Sequence, residues 1–184
     1  MLKSFYLIIL LLLSVMGCKL EDPEIPNEEE LITTFLYKLT PAAGGTAIFF
    51  SFKDLDGDGG SSPEISTGKL FKNTTYLGEL ELLNEQLIPP VNISAEIKNE
   101  GEAHQFFYHT TGNLGITVQY DDQDSQGYPI GLKNKLITTS SSTGTLTITL
   151  RHEPDKSAAG VNSGNIANAG GETDIEISFD VEVE

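Results

Sequence analysis

Strict alternation of apolar and polar side chains is the feature that most limits how this chain can fold. The segments 143–151 and 172–184 each carry an apolar residue at every second position, for example at Leu146, Ile148 and Leu150 in the first segment. Successive side chains of a β-strand point to opposite faces of the sheet, so a period of two predicts half-buried strands. The chain is therefore expected to pack sheet faces against a core.

Shorter segments rich in β-branched and aromatic residues complete the predicted strands. They are 31–40, 46–53, 68–72, 75–84, 105–110, 115–120 and 136–140. Residues 92–99 alone have helical spacing, with Ile93 and Ile97 on one side. Short strands with turn signals about every ten residues predict an all-β fold. We expect a single antiparallel β-sandwich, immunoglobulin-like, with at most one short helix.

The first seventeen residues predict a bacterial-type secretory signal peptide. Lys3 precedes an apolar run over residues 5–13, which is shorter than the roughly 20 residues that a membrane span needs. Val15 and Gly17 then stand before Cys18 as in the lipobox that lipoprotein signal peptidase reads. The alternative is an ordinary signal peptide with a chance cysteine near its end.

Cys18 is the only cysteine in the chain, and thioether attachment of diacylglycerol needs a thiol. We therefore predict that Cys18 is lipidated, that 18–30 form the anchor and an acidic tether, and that 31–184 form the sandwich domain. Acyl chains such as palmitate would hold the domain on a lipid bilayer. Glu21 and Asp22 resemble the surface-export signals of Bacteroidota-type lipoproteins. The alternative is that these acidic residues belong to a plain solvated linker. The expected location is the outer membrane, facing the periplasm or the cell surface.

The charge of the chain excludes two classes of partner. The formal net charge is −16 at pH 7, and it falls by one when Lys3 leaves with the signal peptide. A domain this acidic repels nucleic acid and anionic lipid, so neither is expected as a ligand. Cations and cationic partners are compatible with this charge.

Two Asp-rich loops predict calcium sites. Asp54, Asp56 and Asp58 alternate before a glycine, and alternating carboxylates on a tight loop converge on a hard cation. Asp122 and Asp124 repeat the pattern in a weaker form. The alternative is that Asp and Gly simply favour turns.

The histidines predict a second, different metal site. His104 opens one predicted strand and His152 closes another, and Glu102 lies beside the first; the third histidine is His109. Two imidazoles at the same end of neighbouring strands, with a carboxylate, would suit zinc or a similar transition metal. Isolated surface histidines are the alternative. No motif of a nucleophilic, phosphate-binding or zinc-dependent enzyme occurs in the sequence, so an enzyme is not expected.

Four segments resemble a family of small Bacteroidota-type lipoproteins: residues 54–60, 102–108, 120–132 and, most specifically, 150–179. Members are often labelled "type 1 periplasmic binding fold", a longer two-domain α/β fold, whereas this chain lacks the βαβ pattern that such a fold requires. The resemblance brings no established activity. It implies a possible outer-membrane receptor as partner, because such lipoproteins often accompany TonB-dependent receptors.

Three hypotheses for function follow. The first is a membrane-anchored, non-enzymatic binding lipoprotein of the bacterial envelope that calcium stabilises. The second is a transition-metal capture lipoprotein that serves a TonB-dependent receptor. The third is a structural component of the envelope.

Overall fold

The computed structural model describes residues 31–57 and 60–184. The predicted signal peptide, Cys18 and the acidic tether lie outside the described residues, and so does Asp58 of the first Asp-rich loop. No helix within the described residues is long and apolar enough to cross a membrane.

The described residues form ten strands, one α-helix and three short 3-10 turns. In chain order these are β1 (Thr34–Pro41), β2 (Ile48–Lys53), β3 (Glu64–Ser66), β4 (Thr75–Asn84), β5 (Val91–Asn92), α1 (Ile93–Asn99), a 3-10 turn (Gly101–Ala103), β6 (His104–Gly112), β7 (Ile116–Tyr120), β8 (Lys133–Thr138), β9 (Ser142–His152), two 3-10 turns (Val161–Ser163 and Ile166–Asn168) and β10 (Glu172–Val183).

The strands form two antiparallel sheets. The larger sheet has the order β3-β2-β1-β4-β8-β7, with β5 paired beside β4, and the smaller sheet has the order β10-β9-β6. This arrangement confirms the predicted all-β class, the antiparallel sandwich and the single short helix.

Aromatic side chains join the two sheets across the core. Phe179 of β10 lies 6.1 Å from Phe35 and 5.5 Å from Phe50 between ring centroids, and Tyr37 of β1 lies 6.1 Å from Tyr108 of β6. Full burial of one large apolar side chain contributes about 1.5–3 kcal/mol. Because no disulfide can form in a chain with one cysteine, this packing and the hydrogen bonds of the sheets hold the sandwich together.

Most predicted strands are present, and the closest agreement is in the segments with strong alternation. β9 and β10 extend over the predicted ranges to within a residue or two. The prediction of a strand at 68–72 is wrong, because only Leu70 makes an isolated bridge, to Val183. The three residues of β3 are all exposed, so their sequence carries no burial pattern, and pairing with β2 alone makes them a strand.

Candidate functional site

A cleft of about 880 Å³ lies on the outward face of the larger sheet. Its floor consists of side chains that alternate with the core-facing residues of β1, β2 and β4. They are Leu36, Lys38, Phe49, Glu79 and Glu81. Phe49 pairs with Lys38, and Lys38 pairs with Glu79, so these three form one row across three strands. The row places an exposed aromatic ring beside a Lys–Glu ion pair of 3.3 Å.

Helix α1 forms one wall of the cleft. The Asn92 side chain caps the helix by accepting from the Ala95 backbone N–H at 3.1 Å, and Ile97 is buried in the core. Ser94 accepts a hydrogen bond at 2.7 Å from the Leu82 N–H, on a part of β4 that β8 does not cover. The helix is therefore fixed to the sheet edge, and its exposed side faces the cleft.

The loop between β7 and β8 forms a second wall, next to the 3-10 turn that follows α1, and Lys156 holds it in place. The Lys156 ammonium is 5% exposed and lies 2.8 Å from Asp124 Oδ2. It also donates to the carbonyls of Pro129, at 3.1 Å, and of Gly101. One buried cation thus joins the loop, the 3-10 turn after α1 and the segment that follows β9.

The buried ion pair shifts the pKa values of both Lys156 and Asp124. Burial lowers the pKa of Lys156, and Asp124 opposes that shift. Burial by itself would raise the pKa of Asp124, but the Lys156 ammonium and the amide donors of the loop hold this pKa below its usual value. Each partner therefore keeps the other charged inside the wall.

Charged groups of both signs line the cleft. The lysines are Lys38, Lys98 and Lys133, and the carboxylates are Glu79, Glu81, Glu100, Glu102, Asp122 and Asp124. Several already have partners within the protein: Glu79 pairs with Lys38, Asp124 pairs with Lys156, and Glu102 accepts from the Ser125 hydroxyl. Asp122 is also bonded within its own loop, so Glu81, Lys98, Glu100 and Lys133 are the groups that present hydrogen-bond donors and acceptors to the cleft.

The second Asp-rich loop carries intramolecular donors on both of its carboxylates. Asp122 accepts from the backbone N–H groups of Gly131 at 2.7 Å and Lys133 at 2.9 Å. Burial raises the pKa of Asp122, although these hydrogen bonds act to lower it. Asp124 accepts from Lys156 and from the N–H groups of its own turn. A calcium ion at Asp122 and Asp124 would have to displace the Lys156 ammonium.

The first Asp-rich loop is a tight turn at the surface. Asp54 Oδ1 accepts from the Gly57 N–H at 2.9 Å, and Gly57 adopts a φ of 70°, which side-chain-bearing residues rarely adopt. Asp56 Oδ2 accepts from the Ser61 N–H at 2.9 Å, and that bond lowers the Asp56 pKa. The turn brings Asp54 and Asp56 together, while Asp58 lies outside the described residues.

His104 and His152 lie directly opposite each other on β6 and β9. Their ring centroids are 4.9 Å apart, and the ring planes are nearly parallel, at 24°. A β-bulge between Thr173 and Ile175 of β10 brings Asp174 to the same place, with Oδ2 3.9 Å from His104 Nε2. The predicted juxtaposition of two histidines at one strand end is therefore present, with Asp174 as the neighbouring carboxylate.

Oxygen atoms lie near both ring nitrogens of His104. Nδ1 is 3.1 Å from the Glu100 carbonyl, and Nε2 is 3.9 Å from Asp174 Oδ2. Burial lowers the pKa of His104, because desolvation penalises the imidazolium.

Glu102 and His109 do not join the histidine pair. Glu102 is exposed, lines the cleft and accepts from Ser125, and His109 is exposed further along β6. Within residues 31–57 and 60–184 no group of three His, Cys, Asp or Glu side chains is arranged to hold a metal ion. A zinc ion bound by His104 and His152 would need the stacked rings to turn so that their nitrogens converge.

The cleft and its supports are candidate features that the sequence analysis did not predict. Its floor, walls and buried lysine come from segments far apart in the chain, for example Leu36, Ala95, Gln123 and Lys156. No motif includes Lys156, and a lysine in a polar segment is ordinarily expected to be exposed. Comparisons with family models, with curated proteins and with solved structures find no match to this chain.

Proposed function

We propose that this chain is a lipid-anchored, non-enzymatic binding protein of the bacterial envelope whose ligand occupies the cleft beside α1. The cleft carries the proposal, because its volume of about 880 Å³ is in the range of small-molecule sites. The sequence features that predict a signal peptide and acylation at Cys18 support the envelope location, as does the resemblance to small Bacteroidota-type lipoproteins.

The charges of the cleft favour a neutral or cationic polar ligand. Three lysines and six carboxylates line it, and the whole chain carries a net charge of −16. This field repels anions before they reach the cleft. The exposed Phe49 ring and Leu36 offer an apolar contact, while Glu81 in the floor and Lys98 and Glu100 beside it offer hydrogen bonds. A ligand with an apolar face and several hydroxyl or amino groups fits this lining.

Filling the cleft tests the proposal. Ala95 is exposed on the cleft side of α1, so Ala95→Trp should occupy space without disturbing the core. Ala159→Trp, at an exposed position outside the cleft lining, is the matched control. Small oligosaccharides and cationic peptides would be screened against the 19–184 chain by ligand-observed NMR. Hits should lose their binding to Ala95→Trp and keep it to Ala159→Trp.

Two results would contradict this use of the cleft. Hits that bind Ala95→Trp as tightly as the unaltered chain would place their site elsewhere. A chain that binds no member of either class would favour a structural role in the envelope.

A transition-metal capture role is the second candidate, and the adjacency of His104 and His152 favours it. Zinc would be added to the 19–184 chain, and to His104→Gln and His109→Gln variants, in isothermal titrations at pH 7.5 and pH 5.5. Capture by the pair predicts binding that His104→Gln abolishes, that His109→Gln leaves intact and that weakens at the lower pH, since neutral imidazole is the ligand. Equal zinc binding by both variants would exclude this pair as the site.

A further inference from the structure

Three segments meet at one end of the sandwich. The chain enters the domain through Leu31, beside the loop after β2 and the loop between β4 and β5. The Thr33 carbonyl accepts from the Asp54 N–H at 2.8 Å, and the Thr33 hydroxyl accepts from the Glu85 N–H at 2.8 Å. The Gln86 side chain donates to the Leu55 carbonyl at 3.0 Å. These bonds fix both loops next to the point where the chain arrives.

Apolar side chains project from this end into solvent. Leu31, Leu55, Leu87 and Ile88 are 47%, 47%, 51% and 97% exposed, and we call these four residues the apolar tip. Scattered exposed leucines are ordinary, but a group at one end of a domain, with one side chain almost fully exposed, is typical of a surface that is covered in use.

We propose that the apolar tip docks into the lipid bilayer that holds Cys18. The inference rests on the proposed lipid anchor. Twelve residues separate Cys18 from Leu31, so the two can be at most about 45 Å apart. The opposite end of the sandwich lies about 33 Å further away, the length of the ten-residue strand β4. The tip is therefore the end of the domain at which the tether from the anchor arrives.

The charges around the tip indicate which membrane surface it fits. Asp54 and Asp56 lie in the loop that carries Leu55, and the nearby Lys53 is paired with Glu85 at 2.7 Å. Anionic headgroups would be repelled by these carboxylates. The tip is accordingly suited to neutral or zwitterionic headgroups, with aliphatic side chains reaching the boundary of the acyl chains.

Depth-dependent quenching tests the proposal on the acylated protein. Acylation consumes the thiol of Cys18, so Ile88→Cys introduces a unique site for a fluorophore, and Ala43→Cys does the same at the opposite end. Both proteins would be reconstituted in phosphatidylcholine vesicles. The label at position 88 should be quenched several-fold more by a lipid-borne quencher than the label at 43, and several-fold less by aqueous iodide.

The outcomes separate this proposal from the anchor on which it rests. If the chain is not acylated, the anchor and the docking fail together. If it is acylated and the labels at 88 and 43 are quenched alike, the docking alone is overturned. The labelled 19–184 chain without vesicles is the control. Protection of position 88 in that control would mean that another copy of the protein covers the tip, which also overturns docking to lipid.

Discussion

His104 is a residue whose burial makes the stability of the domain depend on pH. Burial lowers its pKa in the folded state, whereas the unfolded chain has an ordinary histidine pKa near 6.5. As pH falls below about 6.5, the unfolded state takes up a proton that the folded state resists, so the free energy of unfolding decreases. Above that pH the contribution is fully present.

We expect urea denaturation to show lower stability at pH 5.5 than at pH 7.5, and His104→Gln to flatten that difference. His109→Gln is the control, because His109 is exposed on the same strand. Carboxylates distant from His104 affect all three proteins alike, whereas any contribution of Asp174 belongs to the same pair and changes together with it. An unchanged slope in His104→Gln would show that another group causes the pH dependence.

Removal of the Lys156 charge should lower the free energy of unfolding more than removal of any exposed charge. Lys156→Met leaves the Asp124 carboxylate, which is 1% exposed, without its ammonium partner. Breaking a buried pair in this way costs about 3–5 kcal/mol. Lys135→Met removes the exposed partner of Asp121, 2.7 Å away, and should cost no more than about 1 kcal/mol. Chemical denaturation of both variants measures the difference, and equal losses would contradict the structural role given to Lys156.

At the scale of elements, the first Asp-rich loop, at 54–60, is where calcium would act. Calcium bound only to the folded state at about a hundredfold excess over Kd stabilises by about 2.7 kcal/mol. We expect calcium to raise the melting temperature of the 19–184 chain, and Asp56→Asn to remove most of that rise. Asp121→Asn, at an exposed aspartate outside the loop, should leave it unchanged. A melting temperature that responds to neither calcium nor chelator would leave the loop as a turn.

The elements that the sequence predicts well are those in which the spacing of apolar residues shows which face is buried. β10 and α1 carry apolar residues at the period of a strand and of a helix, so both were predictable with no knowledge of their neighbours. No such spacing predicts the cleft. Phe49, Ala95 and Gln123 line the same cleft only because β1 pairs with β2 and β4 and because α1 is fixed to the sheet. The histidine pair was predictable only in part. The predicted strand ends place His104 and His152 together, whereas Asp174 lies beside them because of a β-bulge that no sequence pattern predicts.

At the scale of the whole domain, the sandwich in residues 31–57 and 60–184 carries two surfaces that face different directions. The cleft lies on the outward face of the larger sheet, and the apolar tip lies at the end where the chain arrives from Cys18. If the tip rests on the bilayer, the axis of the strands stands away from the membrane and the cleft opens sideways to solvent. A ligand can then reach the cleft while the protein stays anchored.

Acylation of Cys18 is the claim on which this arrangement depends, and labelling with palmitate tests it most directly. Cells that express the full chain or Cys18→Ala would be grown with labelled palmitate, and their membranes separated. If Cys18 carries the lipid, the full chain incorporates label and fractionates with the outer membrane, and Cys18→Ala remains an unprocessed, unlabelled precursor. Normal processing and outer-membrane fractionation of Cys18→Ala would contradict the lipid anchor.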